Sequence, residues 1–159
     1  MLRLATISDA NAIRQLREES IRGLACTHYP STEIESWCGA RAAEAYHAPI
    51  KDKVVLVEEH QGQVLAFGQL DPTTSVIEAI YVHPLRSRQG VGLGILQALE
   101  AIAATKGIRE LVLEASLNAV EFYKRAGYVP ATGEEYGFIR NHIASSVLMR
   151  HQLVAPSAA

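Results

Sequence analysis

Apolar positions along the chain switch between two periods, and the switches mark the elements. A short apolar run at Leu2 to Ala5 predicts a strand. Ser8 and Asp9 offer an N-cap ahead of Ile13, Leu16 and Ile21, whose spacing is helical, and Gly23 offers the stop. Pro30-Ser31-Thr32 opens a second helix, with Thr32 and Glu35 in capping-box spacing and Gly39 near its end. The pattern then becomes β-rich. Val54 to Glu58 and Val64 to Leu70 predict a hairpin turning at Gln61-Gly62, and Ser75 to Val82 a third antiparallel strand after the Asp71-Pro72-Thr73-Thr74 turn. From Gly92 to Lys106 the period returns to 3.6, with Ile95, Leu96, Leu99, Ile102 and Ala103 on one stripe and Gly107 as the stop. Leu111 to Leu113 reads as a buried strand and completes a right-handed strand–helix–strand unit. Ser116 or Asn118 caps the next helix, Asn118 and Glu121 standing in capping-box spacing, and Gly127 ends it. Tyr128 onward and Ser145 to Met149 predict closing strands. The expected class is α/β with a mixed, mostly antiparallel sheet.

Composition narrows the classes of function. The 159 residues, 48% apolar and 20% charged, suit one globular domain, expected over 1–153, with a frayed tail over 154–159. A net charge of −2 lacks the footprint of a general nucleic-acid binder. No run approaches the roughly 20 apolar residues that span a bilayer, and the start turns polar without a secretory leader. A soluble, cytoplasmic protein is expected. Cys26 and Cys38 make no disulfide framework, and Cys26-x-His28 alone offers too few ligands, so no metal is expected.

The segment with most chemical content is Ile80 to Gly94, which runs from strand through a glycine-rich turn into a helix. Backbone N–H groups at such a helix start form an anion cradle, and Arg86 and Arg88 add positive charge. A tight connection with glycines for packing is the plainer reading. No Lys-Ser/Thr follows the glycines, so a P-loop is poorly supported. A dinucleotide fingerprint finds Gly90 and Gly92 but Ile95 in the third place, and the preceding strands read as antiparallel.

This run resembles motif A of the GNAT superfamily of N-acetyltransferases, Gln/Arg-x-x-Gly-x-Gly/Ala after a strand ending Val-x-Pro. Two registers fit: Gln89-x-x-Gly92-x-Gly94, and Ser87-x-x-Gly90-x-Gly92, which better matches the distance from Pro84. The second is preferred, and it puts Ser87 and Leu93 where the family commonly has polar or basic residues. Glu114 to Tyr128 resembles motif B: Ser116 takes the usual Asn position, Ala119 the Ala, Phe122-Tyr123 the aromatic pair, and Gly127-Tyr128 the end. The start of the chain and the stretch His28 to Trp37 are also similar to the family.

The resemblance implies a sheet splayed between its fourth and fifth strands, with acetyl-CoA in the splay and helices on both faces. It implies cofactor contacts from the backbone of Ile80, Tyr81 and Val82, from Ser87, Arg88, Gln89, Gly90, Val91, Gly92 and Leu93, and from Ser116, Asn118 and Tyr123. Tyr123 fits the general acid that protonates the departing thiolate. Glu78, a carboxylate interrupting an apolar strand, is the candidate base, made more basic by burial, with binding of the substrate ammonium as the other reading. His83 before Pro84 reads as a turn residue. His28, Tyr29 and Trp37 are candidates for binding the acceptor, a primary amine of a small molecule or peptide. Members of the family often dimerise, so a homodimer is allowed. The rival function is a coenzyme A-binding sensor or interaction module without turnover.

Overall fold

The computed structural model describes residues 1–132 and 145–155. Seven strands, β1 (Leu2–Leu4), β2 (Val54–His60), β3 (Gln63–Asp71), β4 (Val76–Val82), β5 (Glu110–Ser116), β6 (Val129–Pro130) and β7 (Ser146–Gln152), form one sheet in the order β1-β2-β3-β4-β5-β7-β6. All neighbours are antiparallel except β4 and β5, which are parallel. Five helices flank it: α1 (Ala10–Leu24), α2 (Ser31–Cys38), α3 (His47–Asp52), α4 (Val91–Thr105) and α5 (Val120–Arg125).

Strand alternation feeds two cores. In β2, Val55 and Val57 face α1 with Ile13, Leu16 and Phe67, while Leu56 faces α4 with Ile95, Leu96, Leu99 and Leu113. Burying each such side chain contributes about 1.5–3 kcal/mol, so α4 is seated firmly on β3 and β4 and the position of its N-terminus is fixed. A third cluster, with Ile21, Tyr29, Ile34 and Trp37, holds α2 against the end of α1.

Several local expectations are corrected. α2 begins at Ser31 behind Pro30, so Thr32 lies inside the first turn and forms no capping box; Glu35 instead pairs with Arg22. Ser116 ends β5 and precedes a 3-10 turn, Leu117–Ala119, so neither it nor Asn118 caps α5 through its side chain. Asp9 precedes α1 without a side-chain cap bond; its carboxylate takes the Thr6 N–H at 2.7 Å and a two-pronged contact from Arg3. α3 and the 3-10 turn before it, Ala43–Tyr46, were not foreseen. Of the expected tail, Val154 is exposed and 156–159 lie outside the described residues. Among the described residues no helix is long and apolar enough to cross a membrane.

Candidate active site

The opening expected between the fourth and fifth strands is present. β4 and β5 share one register pair, Val76 with Val112, closed by the Val112 N–H donating to the Ser75 carbonyl at 3.1 Å. Beyond it the ladder stops, and among the described residues no strand pairs with that edge of the remainder of β4. The His83 N–H donates to the Leu65 carbonyl at 2.8 Å, which fixes the alternation of the antiparallel β3–β4 ladder. Tyr81 therefore turns its N–H toward Phe67 in β3, whereas Ile80 and Val82 turn theirs to the open edge. Of the three residues whose backbone was expected to contact the cofactor, Ile80 and Val82 thus offer N–H groups at that edge and Tyr81 does not.

A bulge lies in the same strand. Ala79 pairs with Gln69 and Ile77 with Leu70, leaving Glu78 as the extra residue. The bulge puts Glu78 and Ala79 on one face, where both line a cleft of about 230 Å³ with Trp37, Tyr81 and Phe67. Glu78 is exposed rather than buried, against expectation. Lys53 Nζ donates to both its oxygens, at 2.7 and 2.8 Å, and Gln69 Nε2 donates at 2.5 Å. Burial works against the Lys53 charge, but Glu78 and Asp71 outweigh it and hold the ammonium above its ordinary pKa.

Tyr123 comes from the opposite face. Its ring packs against Phe122 and Tyr128 at 5.0 and 5.7 Å. Burial, with the nearby Tyr81 phenol adding, pushes its hydroxyl far above the ordinary value near 10.

The glycine turn shows which positions need glycine. Gly90 has φ +80° at the start of α4, a conformation that side chains disfavour. A Cβ on Gly92 would stand 3.2 Å from Val82 Cγ2 and 3.6 Å from Phe122 Cζ, whereas one on Gly94 would meet nothing within 4 Å. The Ser87 hydroxyl donates back to the Pro84 carbonyl at 3.0 Å and Gln89 Nε2 to the Leu85 carbonyl at 3.1 Å, so both brace the turn. Arg88, Gly90 and Leu93 are exposed, Val91 half-buried. His83 Nδ1 accepts from the Leu85 N–H at 3.2 Å, as befits a turn residue. Across the gap, Asn118 Oδ1 is buried without a donor among the described residues.

Of the proposed acceptor contacts, Trp37 lines the cleft. Tyr29 does not: its buried hydroxyl accepts from the Leu117 N–H at 2.9 Å and donates to the Ser145 carbonyl at 2.5 Å, tying the end of β5 to the approach to β7. His28 is exposed and bonded to Thr27. Sequence reasoning missed Arg17, Arg41, Tyr46 and Lys53, which also line the cleft. The signal for Arg17 was its place in the stripe Ile13, Leu16, Arg17, Ser20, Ile21, all buried in α1.

The fold recurs in solved structures. A GCN5-related N-acetyltransferase from Rhodopseudomonas palustris superposes with a TM-score of 0.85 at 28% identity, covering 96% of this chain and 95% of that one. The PaiA N-acetyltransferase from Thermoplasma acidophilum, in complex with coenzyme A, gives 0.80 at 21% identity over 96% and 98%. A putative acetyltransferase, YncA, from Salmonella typhimurium with acetyl-CoA gives 0.67 at 20% identity over 100% and 96%. Residues 25–147 match the family described as the acetyltransferase (GNAT) domain, a span that holds the splayed strands, the glycine turn and Tyr123. With most of its length inside that match, the chain belongs to the GNAT acetyltransferase family.

Proposed function

We propose that the protein is an N-acetyltransferase that moves the acetyl group of acetyl-CoA to a primary amine of a small molecule or peptide, by direct attack in a ternary complex. The observation that carries this reading is the free edge of β4 beside the glycine N-terminus of α4, in a chain of this family.

The residues suit coenzyme A at three places. The outward N–H groups of Ile80 and Val82 suit the amide-bearing pantetheine arm as an added strand would. The first N–H groups of α4, over Val91, Gly92 and Leu93, lack helical partners and suit a pyrophosphate, with Ser87, Arg88, Gln89 and Gly90 shaping the approach. The orphaned Asn118 Oδ1, next to Ser116 at the end of β5, suits a donor on the arm.

Acetyl-CoA supplies the thioester whose carbon–sulfur bond is exchanged for a carbon–nitrogen bond. Tyr123, like any phenol, keeps its proton at neutral pH, and burial pushes its pKa further up; its Oη is the donor for the departing thiolate, whose thiol has a pKa of about 8.5. Glu78, fixed at the bulge by Lys53 and Gln69, is the acceptor of the amine proton. Main-chain N–H groups on the β4 edge favour charge developing on the carbonyl oxygen. Retention of Tyr123 and Glu78 together favours turnover over a silent binding module.

The test is thiol release from acetyl-CoA across a panel of primary amines, with wild type and Tyr123→Phe. Turnover that falls at least 100-fold in the variant, with acetyl-CoA binding retained, supports the reading. Equal turnover in the variant removes Tyr123 as the acid, and release that no amine stimulates removes the N-acetyltransferase.

A further inference from the structure

The cleft on the α1 side carries more positive charge than acetyl transfer needs. Arg17, Arg41 and Lys53 line it against one carboxylate, Glu78, in a chain whose net charge is −2. Lys53 is neutralised by Glu78 and Asp71. The two arginines are not: among the described residues neither has a carboxylate within ion-pair distance.

Arg17 is 8% exposed. Its guanidinium donates to the Trp37 and Cys38 carbonyls at 2.9 and 3.1 Å, at the C-terminal end of α2, and lies 5.9 Å over the Tyr81 ring. Those carbonyls fix the group and compensate part of its dipole demand, but not its charge. A buried charge without a counter-ion is costly, and the cost falls when an anion arrives. Arg41 is exposed at the mouth, its guanidinium 5.8 Å from the centre of the Tyr46 ring. Tyr46 supplies an independent sign. Its hydroxyl is buried and has no hydrogen-bond partner among the described residues, and the residue lines the same cleft. A buried unpaired hydroxyl costs about 1–3 kcal/mol, so such a group marks a place where a ligand acceptor is missing.

We propose that the acceptor is a small zwitterion-like amine that also bears an oxyanion, a carboxylate or a phosphate, received by Arg17, Arg41 and the Tyr46 hydroxyl. The inference rests on the acetyltransferase reading and specifies its acceptor. Planar guanidinium groups match either oxyanion with two parallel bonds. Glu78 lines the same cleft and is the carboxylate there for the amine. Trp37 and Tyr81 add aromatic wall to the same cleft. A volume of about 230 Å³ suits a molecule of amino-acid size rather than a folded protein surface.

The experiment measures thiol release with acceptors in matched pairs: the twenty α-amino acids against their amides, and O-phosphoethanolamine against ethanolamine. In parallel, the melting temperature of the CoA-saturated protein is read with each compound. In at least one pair the oxyanion member should have a kcat/KM ten-fold or more above its neutral partner, and the reactive pair tells carboxylate from phosphate. Arg41→Gln should raise the KM for that oxyanion acceptor about ten-fold and bring the ratio of the pair toward one. Tyr46→Phe should do the same while leaving the free protein as stable or more so, since it removes an unpaired group. Arg17→Gln is the less informative variant because it also strips two carbonyls of their donor. Neutral members that react as well or better in every reactive pair overturn the proposal. So does a panel in which no oxyanion amine either reacts or raises the melting temperature. Both results are compatible with an intact stabilisation by acetyl-CoA, which keeps the acetyltransferase reading; loss of that stabilisation would overturn the reading itself.

Discussion

Replacing the glycines of the α4 turn one at a time separates the two registers in which the motif fits the sequence. Gly94→Ala adds a Cβ that meets nothing within 4 Å, in the first turns of a helix. Alanine is favoured over glycine there by about 0.8–1 kcal/mol, so the variant should gain most of that. Gly90→Ala adds a Cβ at φ +80°, a left-handed conformation that costs an ordinary residue about 1–2 kcal/mol. The two variants should thus differ by about 2–3 kcal/mol, which for a chain of this length is roughly 4–12 °C in melting temperature. Gly92→Ala is the mixed case. Its Cβ stands 3.2 Å from Val82 Cγ2, tighter than ordinary contact, so the helical gain is offset by strain at the strand that carries the free edge. Stability should change by less than about 1 kcal/mol, with the loss appearing in acetyl-CoA affinity. The assay is thermal melting of the three variants with and without acetyl-CoA. Gly94→Ala should melt higher and keep the full ligand shift; Gly90→Ala and Gly92→Ala should lose part of it. A Gly94→Ala variant that loses the ligand shift while Gly90→Ala keeps it would refute the reasoning and restore the register through Gln89.

Three further outcomes are expected. Glu78→Gln should lower kcat about 100-fold or more, while a rise in acceptor KM at unchanged kcat would assign Glu78 to holding the ammonium. The Arg3 guanidinium, opposed by burial and aided by the Thr6 N–H, brings Asp9 down from an ordinary 3.8 to about 2. Its contribution to stability is therefore present above pH 4 and lost as pH falls toward 2, and Asp9→Asn should flatten that acid-side loss in denaturant melts, whereas an unchanged slope would exclude Asp9 as its source. Tyr29→Phe strips the Leu117 N–H and the Ser145 carbonyl of their partner and should cost about 1–3 kcal/mol in urea unfolding, while a change below 0.5 would show that the tie is not formed in solution.

The parts of the fold legible in the sequence are those where one local rule dominates. The β2–β3 hairpin announced itself through Gln61-Gly62, both at positive φ in the structure, and α4 through a stripe whose Ile95, Leu96, Leu99 and Ala103 are all buried. Elements set by tertiary packing were not legible. α3 contains Pro49 and no buried residue, so neither periodicity nor propensity marks it. Thr32 and Glu35 had the spacing of a capping box, but the helix started two residues earlier, with Pro30 at the N-cap position, and Arg22 claimed the glutamate. At the site, Tyr123 and the glycine turn were legible through their motifs. Glu78 was noticed as an interruption of an apolar strand, and its physical cause, a bulge opposite Gln69 and Leu70, depends on strand pairing that a single sequence does not display. The charged lining of the cleft was hidden for the same reason: Arg17, Arg41 and Lys53 come from three separate segments and meet only in the fold.

The central claim is that the open edge of β4 and the start of α4 together hold acetyl-CoA. Its most direct test is the melting temperature with saturating acetyl-CoA, against NAD and ATP as controls. Acetyl-CoA at about 100 times its Kd should stabilise the protein by about 2.7 kcal/mol, roughly 5–11 °C, and the controls should not. A shift with NAD and none with acetyl-CoA would mean that the glycine turn serves a dinucleotide, and would contradict the account.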